Sequence, residues 1–157
     1  MTKPTPLKRH PALQQLSHDH HHGLLLCWKI RQGFKLGVDP DRMKAYSEWF
    51  WNHHLEDHFR EEEELLFPIL PADNSLIKQA LSEHRRLNKL FTHWENPEKN
   101  LGQIEEELER HIRFEERTLF PLIQESASSE QLEAIGKTGN HEKFQDNDSD
   151  LFWIKSN

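Results

Sequence analysis

The chain has 157 residues, is 34% hydrophobic and 30% charged, and carries a formal net charge of -7. That fits one soluble domain with a single core and argues against a general binder of nucleic acid or of anionic membranes. The lone Cys27 excludes an internal disulfide, no apolar leader opens the chain, and the longest apolar run, residues 24–28, cannot span a bilayer; a reducing, cytoplasmic setting is expected.

Scarce Pro and Gly beside plentiful Leu and Glu predict an all-α protein. Residues 1–16 carry Pro4, Pro6 and Pro11 and read as an extended lead-in that lays Leu13 and Leu16 on the core. Ser17 is the expected N-cap of a first helix, with Asp19 in its first turn, running to Leu36 and stopping at Gly37. Asp39-Pro40 starts a second helix that ends at Phe67, before Pro68. Residues 73–75 form the next turn and cap, and a third helix runs to Trp94, where Asn96-Pro97 breaks it. A fourth helix covers residues 100–126 and either kinks or ends at Pro121. Ser128 and Ser129 cap a short fifth helix ending at Gly136. The expected organisation is an up-down-up-down four-helix bundle over residues 1–136 and a mobile polar tail over 137–157. That tail ends in an apolar patch at 151–154 that either docks or is disordered.

Two segments repeat about 53 residues apart, the length of a helical hairpin and its connection. His58-Phe-Arg-Glu-Glu62, followed by Leu66-Phe-Pro68, matches His111-Ile-Arg-Phe-Glu115, followed by Leu119-Phe-Pro121. Each copy is preceded by a helix that carries a histidine. Apolar residues at three-to-four spacing define an inward stripe on each helix. These stripes are Gly23, Leu24, Cys27, Ile30 and Phe34; Trp51, Leu55, Leu65 and Ile69; Ile77, Leu81, Leu87 and Phe91; and Ile104, Leu108, Leu119 and Leu122. His20, His58 with Glu62, His84, and His111 with Glu115 fall on the same stripes. Burying a carboxylate is costly unless it is paired or binds a metal, and imidazole with carboxylate suits iron, zinc or manganese.

The bland alternative for each histidine is a hydrogen-bonded core residue or a surface group. His18, His21 and His22 compete with His20, yet only His20 continues the Cys27 stripe. His54, one turn from His58, is the reserve ligand, while His10, His53, His93 and His141 read as surface or supporting groups. Glu63 and Glu116 read as exposed, the tryptophans Trp28, Trp49 and Trp51 as packing groups, and Cys27 as an inert core thiol. Other metal motifs fail: no Glu lies three residues before a His, and in His54-Leu-Glu-Asp-His58 the glutamate is one position late for a zinc protease.

The set resembles the hemerythrin HHE cation-binding family. Leu16-Ser-His-Asp-His20-His-His-Gly resembles its first-helix motif, His58-x-x-x-Glu62 with the Leu-Phe-Pro tail its second, His84 its third, and His111-x-x-x-Glu115 its fourth. The resemblance covers residues 11–125. It implies a four-helix bundle holding two iron ions, oxo- or hydroxo-bridged, on His20, His58, Glu62, His84, His111 and Glu115, with zinc or manganese as alternatives. Oxygen carriers of the family place a histidine where this chain has Asn88, and an aspartate five residues after the last histidine. The set here is instead similar to the iron- and oxygen-responsive members.

Three functions stay open at this point. One is a module that binds or senses a small diatomic ligand, peroxide or iron itself, with room for the ligand where Asn88 replaces a histidine. The second is an oxidase- or peroxidase-type enzyme. The third is a zinc-binding or metal-free interaction protein that uses the tail. No nucleic-acid or membrane partner is expected, and the sequence names no protein partner.

Overall fold

In the computed structural model, which describes residues 8–139 and 143–155, every regular element among the described residues is helical. Helix α1 spans Pro11–Lys35 and begins six residues before the expected Ser17. Proline at the first helical position costs nothing, because its missing N–H would be unpaired there anyway. His10 caps the end, its Nδ1 accepting from the Ala12 N–H at 3.0 Å. Asp19 therefore lies mid-helix, where no terminal dipole acts on it. Gly37, at a left-handed φ of 69°, closes α1. The same Pro logic starts the fourth helix at Pro97, under an Asn96 cap, three residues before the expected Asn100.

Helix α2 is one continuous rod over residues 40–69, from Pro40–Phe50 through Glu56–Glu61 to a 3₁₀ turn at Phe67–Ile69. Two five-residue π-helical turns, Trp51–Leu55 and Glu62–Leu66, interrupt it. Helix α3 is Ser75–Thr92, capped by the Asn74 side chain, and ends two residues before the expected Trp94. Helix α4 runs over residues 97–126 as Pro97–Phe114, a π turn Glu115–Leu119 and Phe120–Ser126. It thus passes through Pro121 without ending. Helix α5, Ser129–Thr138, carries a capping box of Ser128 and Gln131 and continues two residues past Gly136.

The two π turns at Glu62 and Glu115 sit at equivalent places in the repeated motif. In each, a backbone N–H reaches back five residues, from Phe67 to Glu62 and from Phe120 to Glu115. The next residue is proline, which has no N–H to give. The extra residue in the turn advances the inward face by about 100°. Phe67 and Phe120, five residues after the glutamates, are buried along with Leu66, Leu70, Leu119 and Ile123, while Leu65, Ile69 and Leu122 of the expected stripes are only half-buried.

Helix α1 packs on α4 and α5, and α3 packs on α4. A Cβ at Gly23 would stand 2.7 Å from Ile112 Cδ1, so glycine permits the close approach of α1 to α4. Two apolar clusters fill the interior. One joins Leu26, Ile30, Met43, Phe50, Trp51, Leu87, Leu101 and Leu108. The other joins Leu13, Leu16, Leu66, Phe67, Ile77, Leu119, Phe120 and Ile123. The polar members of the inward stripes lie between them in sequence on all four long helices. Trp28 departs from its expected packing role and is 45% exposed. No helix among the described residues is long and apolar enough to cross a membrane.

Residues 143–155 lie against the bundle, and of the 151–154 patch Phe152 is buried and Trp153 half-buried, while Leu151 and Ile154 stay exposed. Phe152 enters the first cluster, with Phe144 and Trp153 against it. Lys29, buried, places its ammonium 2.8 Å from the Tyr46 hydroxyl, 2.6 Å from Asp146 Oδ2 and over the Trp153 ring. Tyr46 also donates to Asp146, and Arg42 pairs with Asp150 at 2.5 Å. The expectations for Pro4, Pro6 and His141 fall outside the described residues. Replacing Phe152 with Ala is expected to cost about 3 kcal/mol or more, read as a lower urea midpoint; a midpoint equal to wild type would show that the segment is not part of the core.

Candidate metal centre

The six stripe residues converge. His20, His58, Glu62, His84, His111 and Glu115 are each 5% exposed or less. They form two groups of four, His20-His58-Glu62-Glu115 and Glu62-His84-His111-Glu115, with the donor atoms of each group within 4.8 Å of one another. Glu62 and Glu115 belong to both groups. Glu62 divides its oxygens, Oε2 lying 3.2 Å from His58 Nε2 and 3.4 Å from His20 Nε2, and Oε1 lying 3.1 Å from His84 Nε2. Glu115 Oε1 is 2.9 Å from His20 Nε2 and 3.3 Å from His111 Nε2.

Only the His20–Glu115 pair among these is aligned as a hydrogen bond. The Nε2 atoms of His58, His84 and His111, both Glu62 oxygens and Glu115 Oε2 are buried without a hydrogen-bond partner. These groups aim at the space between them instead of at each other. Orphaned buried carboxylates are costly, and a cation in that space would satisfy nitrogen and oxygen donors together. The donor set thus fits a pair of cations of the iron, zinc or manganese kind.

Three of the four imidazoles are hydrogen-bonded from behind by a carboxylate on another helix, and a fourth carboxylate faces His20. Asp19 of α1 is 3.1 Å from His58 Nδ1, Glu63 of α2 is 2.9 Å from His84 Nδ1, and Glu83 of α3 is 2.7 Å from His111 Nδ1. Glu116 of α4 faces His20 Nδ1 at 3.7 Å, longer than a hydrogen bond, and also accepts from Ser17 and Arg9. The acids therefore form a closed circuit, α1 to α2 to α3 to α4 to α1. A carboxylate on Nδ1–H fixes the tautomer and turns Nε2 inward as the free donor. Phe59 stacks on His84 with ring centres 3.8 Å apart, and Phe120 lies 5.1 Å from His20, so packing also holds the rings.

Sequence reasoning missed these four acids. Glu63 is exposed as expected yet engaged, whereas Glu116, expected to be exposed, is half-buried, its side chain 30% exposed. The available signal was adjacency, since each is next in sequence to an inner residue: Asp19-His20, Glu62-Glu63, Glu83-His84 and Glu115-Glu116. The competing histidines stand elsewhere. His18, His21, His53 and His93 are exposed, His10 is a cap, and the reserve ligand His54 lies half-buried against Phe144. Asn88 is exposed and accepts from Thr92, apart from the cluster. Cys27 is fully buried, and burial pushes its thiol up to about 12, consistent with an inert core group.

Without a cation, the cluster balances itself by protons. Burial opposes charge on every histidine, but the facing carboxylates outweigh it and raise His20 and His84 well above their ordinary value, His111 above it, and His58 to about 9. Burial and mutual repulsion likewise oppose charge on the glutamates, yet the imidazoles hold Glu62 down to about 2 and Glu115 well below its usual range. The raised histidines stabilise the fold below 6.5, and that contribution disappears as pH rises through their folded values. The depressed glutamates stabilise it above 4.5, and that contribution disappears as pH falls toward 2. Metal-free protein is expected to be most heat-stable between these limits and to lose midpoint steadily from pH 6.5 to 9. A flat profile over that window, by calorimetry, would contradict the buried ion cluster.

Comparison with known proteins agrees with the geometry. No curated protein and no solved structure matches the chain at a significant level. The family model of the hemerythrin HHE cation binding domain matches residues 12–123, a span that contains all six converging residues and all four braces. The chain belongs to the hemerythrin HHE cation-binding family.

Proposed function

We propose that this chain is a non-haem di-iron protein, built as an up-down-up-down bundle in the cytoplasm, that binds or senses a small diatomic ligand, peroxide or iron itself. The observation that carries this reading is the sharing of Glu62 and Glu115 between two four-donor groups. His20 and His58 would hold one ion, His84 and His111 the other, and the two carboxylates would bridge. A pair of iron ions supplies reversible coordination of a small ligand and one-electron redox change.

The protein's own residues do the rest. Two imidazoles and two shared carboxylates would hold each ion, and a bound ion would take solvent or a small molecule as a further ligand. The Asn88 side chain is exposed and does not supply the room for it. The apolar clusters on either side keep bulk water from the layer, and its near-complete burial favours ligands of a few atoms. Asp19, Glu63 and Glu83 keep the imidazoles of His58, His84 and His111 in the donor tautomer.

Anaerobically purified protein is expected to contain two iron ions per chain and a near-ultraviolet absorption that changes on admitting air or nitric oxide. Stoichiometric zinc with no spectral response would favour the structural reading instead, and steady peroxide consumption the enzymatic one. Glu62→Ala is expected to lose both ions, whereas His111→Ala retains the ion of the His20 and His58 group; equal loss in the two variants would contradict the shared-carboxylate arrangement. Asp19→Asn is expected to weaken metal affinity by about 10- to 100-fold while leaving the helical content unchanged.

A further inference from the structure

The six converging residues are sealed from solvent, so a cation must reach them through a wall of the bundle. Depressions reach three of the imidazoles from outside, at His58, His84 and His111. They differ in charge. At His111, Arg86 and Arg110 stand against Glu83 and Glu107. At His84, Arg60 and Arg85 stand among the glutamates. At His58, the carboxylates of Asp19, Asp57 and Glu61 face Lys143, the only Lys or Arg among the described residues that line that cavity. A cleft of one sign concentrates the opposite ion.

The His58 cavity also carries ligating groups. It holds about 80 Å³, room for several waters. His22 lines it, with both ring nitrogens shielded from solvent and without a hydrogen-bond partner. His54 lines it too, half-buried against Phe144. Asp19 connects cavity and centre: its Oδ1 accepts from Gln15 and its Oδ2 lies on His58 Nδ1. Phe144 closes the outer side, stacked 3.9 Å from the His22 ring and tilted 4.2 Å from that of His54.

We propose that this cavity is the uptake route for hydrated divalent first-row cations, which the carboxylates and imidazoles that line it, Asp19, His22 and His54 among them, lead beneath Phe144 toward His58. The inference rests on the di-metal reading above and adds a route to it. Carboxylate and imidazole together offer the donor types of the final site, so an ion can exchange water for protein ligands stepwise. Nothing comparable in ligand density lines the depressions at His84 and His111 outside the converging residues and their braces.

The test mixes metal-free full-length protein with Co²⁺ in a stopped-flow instrument and follows the visible absorption of the bound ion. His22→Leu/His54→Leu is expected to load about tenfold more slowly than wild type, with the same final stoichiometry and spectrum, and His93→Leu at the wild-type rate. An unchanged rate in the double variant, or a changed final spectrum, would overturn the route. Phe144→Ala, which opens the outer side without removing a donor, is expected to load faster; an unchanged rate there also counts against it. Wild-type protein that takes up no Co²⁺ would refute the di-metal reading itself.

Discussion

Six buried ionisable side chains stand in one layer between two apolar clusters, where every unmatched charge costs stability. Hydrophobic burial alone would favour replacing them, since each buried charge loses its hydration. The metal-free protein answers with protons, holding imidazolium against carboxylate. Cations in the same space would replace those protons and complete the unused donor atoms. The apolar clusters on either side hold four helices in register, so the layer does not have to hold the bundle together by itself.

The circuit of outer carboxylates follows from helix geometry. Neighbouring residues on a helix point about 100° apart. When one of a pair faces the bundle axis, the other faces the seam with an adjacent helix. An acid beside an inner residue is thus placed to reach the back of the next helix's imidazole. Asp19, Glu63, Glu83 and Glu116 all use this position, and each ties two helices at the depth of the centre.

The two π turns at Glu62 and Glu115 resolve a conflict built into the repeated motif. Each begins at an inner glutamate and ends just before the Leu-Phe-Pro step completes, where proline would leave a carbonyl without its N–H. Widening the turn absorbs that loss and rotates the following residues, so that Phe67 and Phe120, five residues after the glutamates, face inward below the centre. Such turns recur at functional sites in helices, and here each begins at a glutamate that could hold a metal ion.

The sequence by itself determined the all-helical class, the four long helices and the six inner residues. Their periodicity records which groups face the axis, and a buried glutamate repeated beside a histidine has few innocent explanations. The family was legible for the same reason. Helix starts were misread at Pro11 and Pro97 because proline marks both an end and a first residue, and only the cap geometry at His10 and Asn96 distinguishes them. The braces, the phase shift after Glu62 and Glu115, and the docking of Phe152 were decided by tertiary structure alone. Each depends on what lies across a seam between segments distant in sequence, and the local pattern of one helix carries no information about its neighbour's depth or rotation.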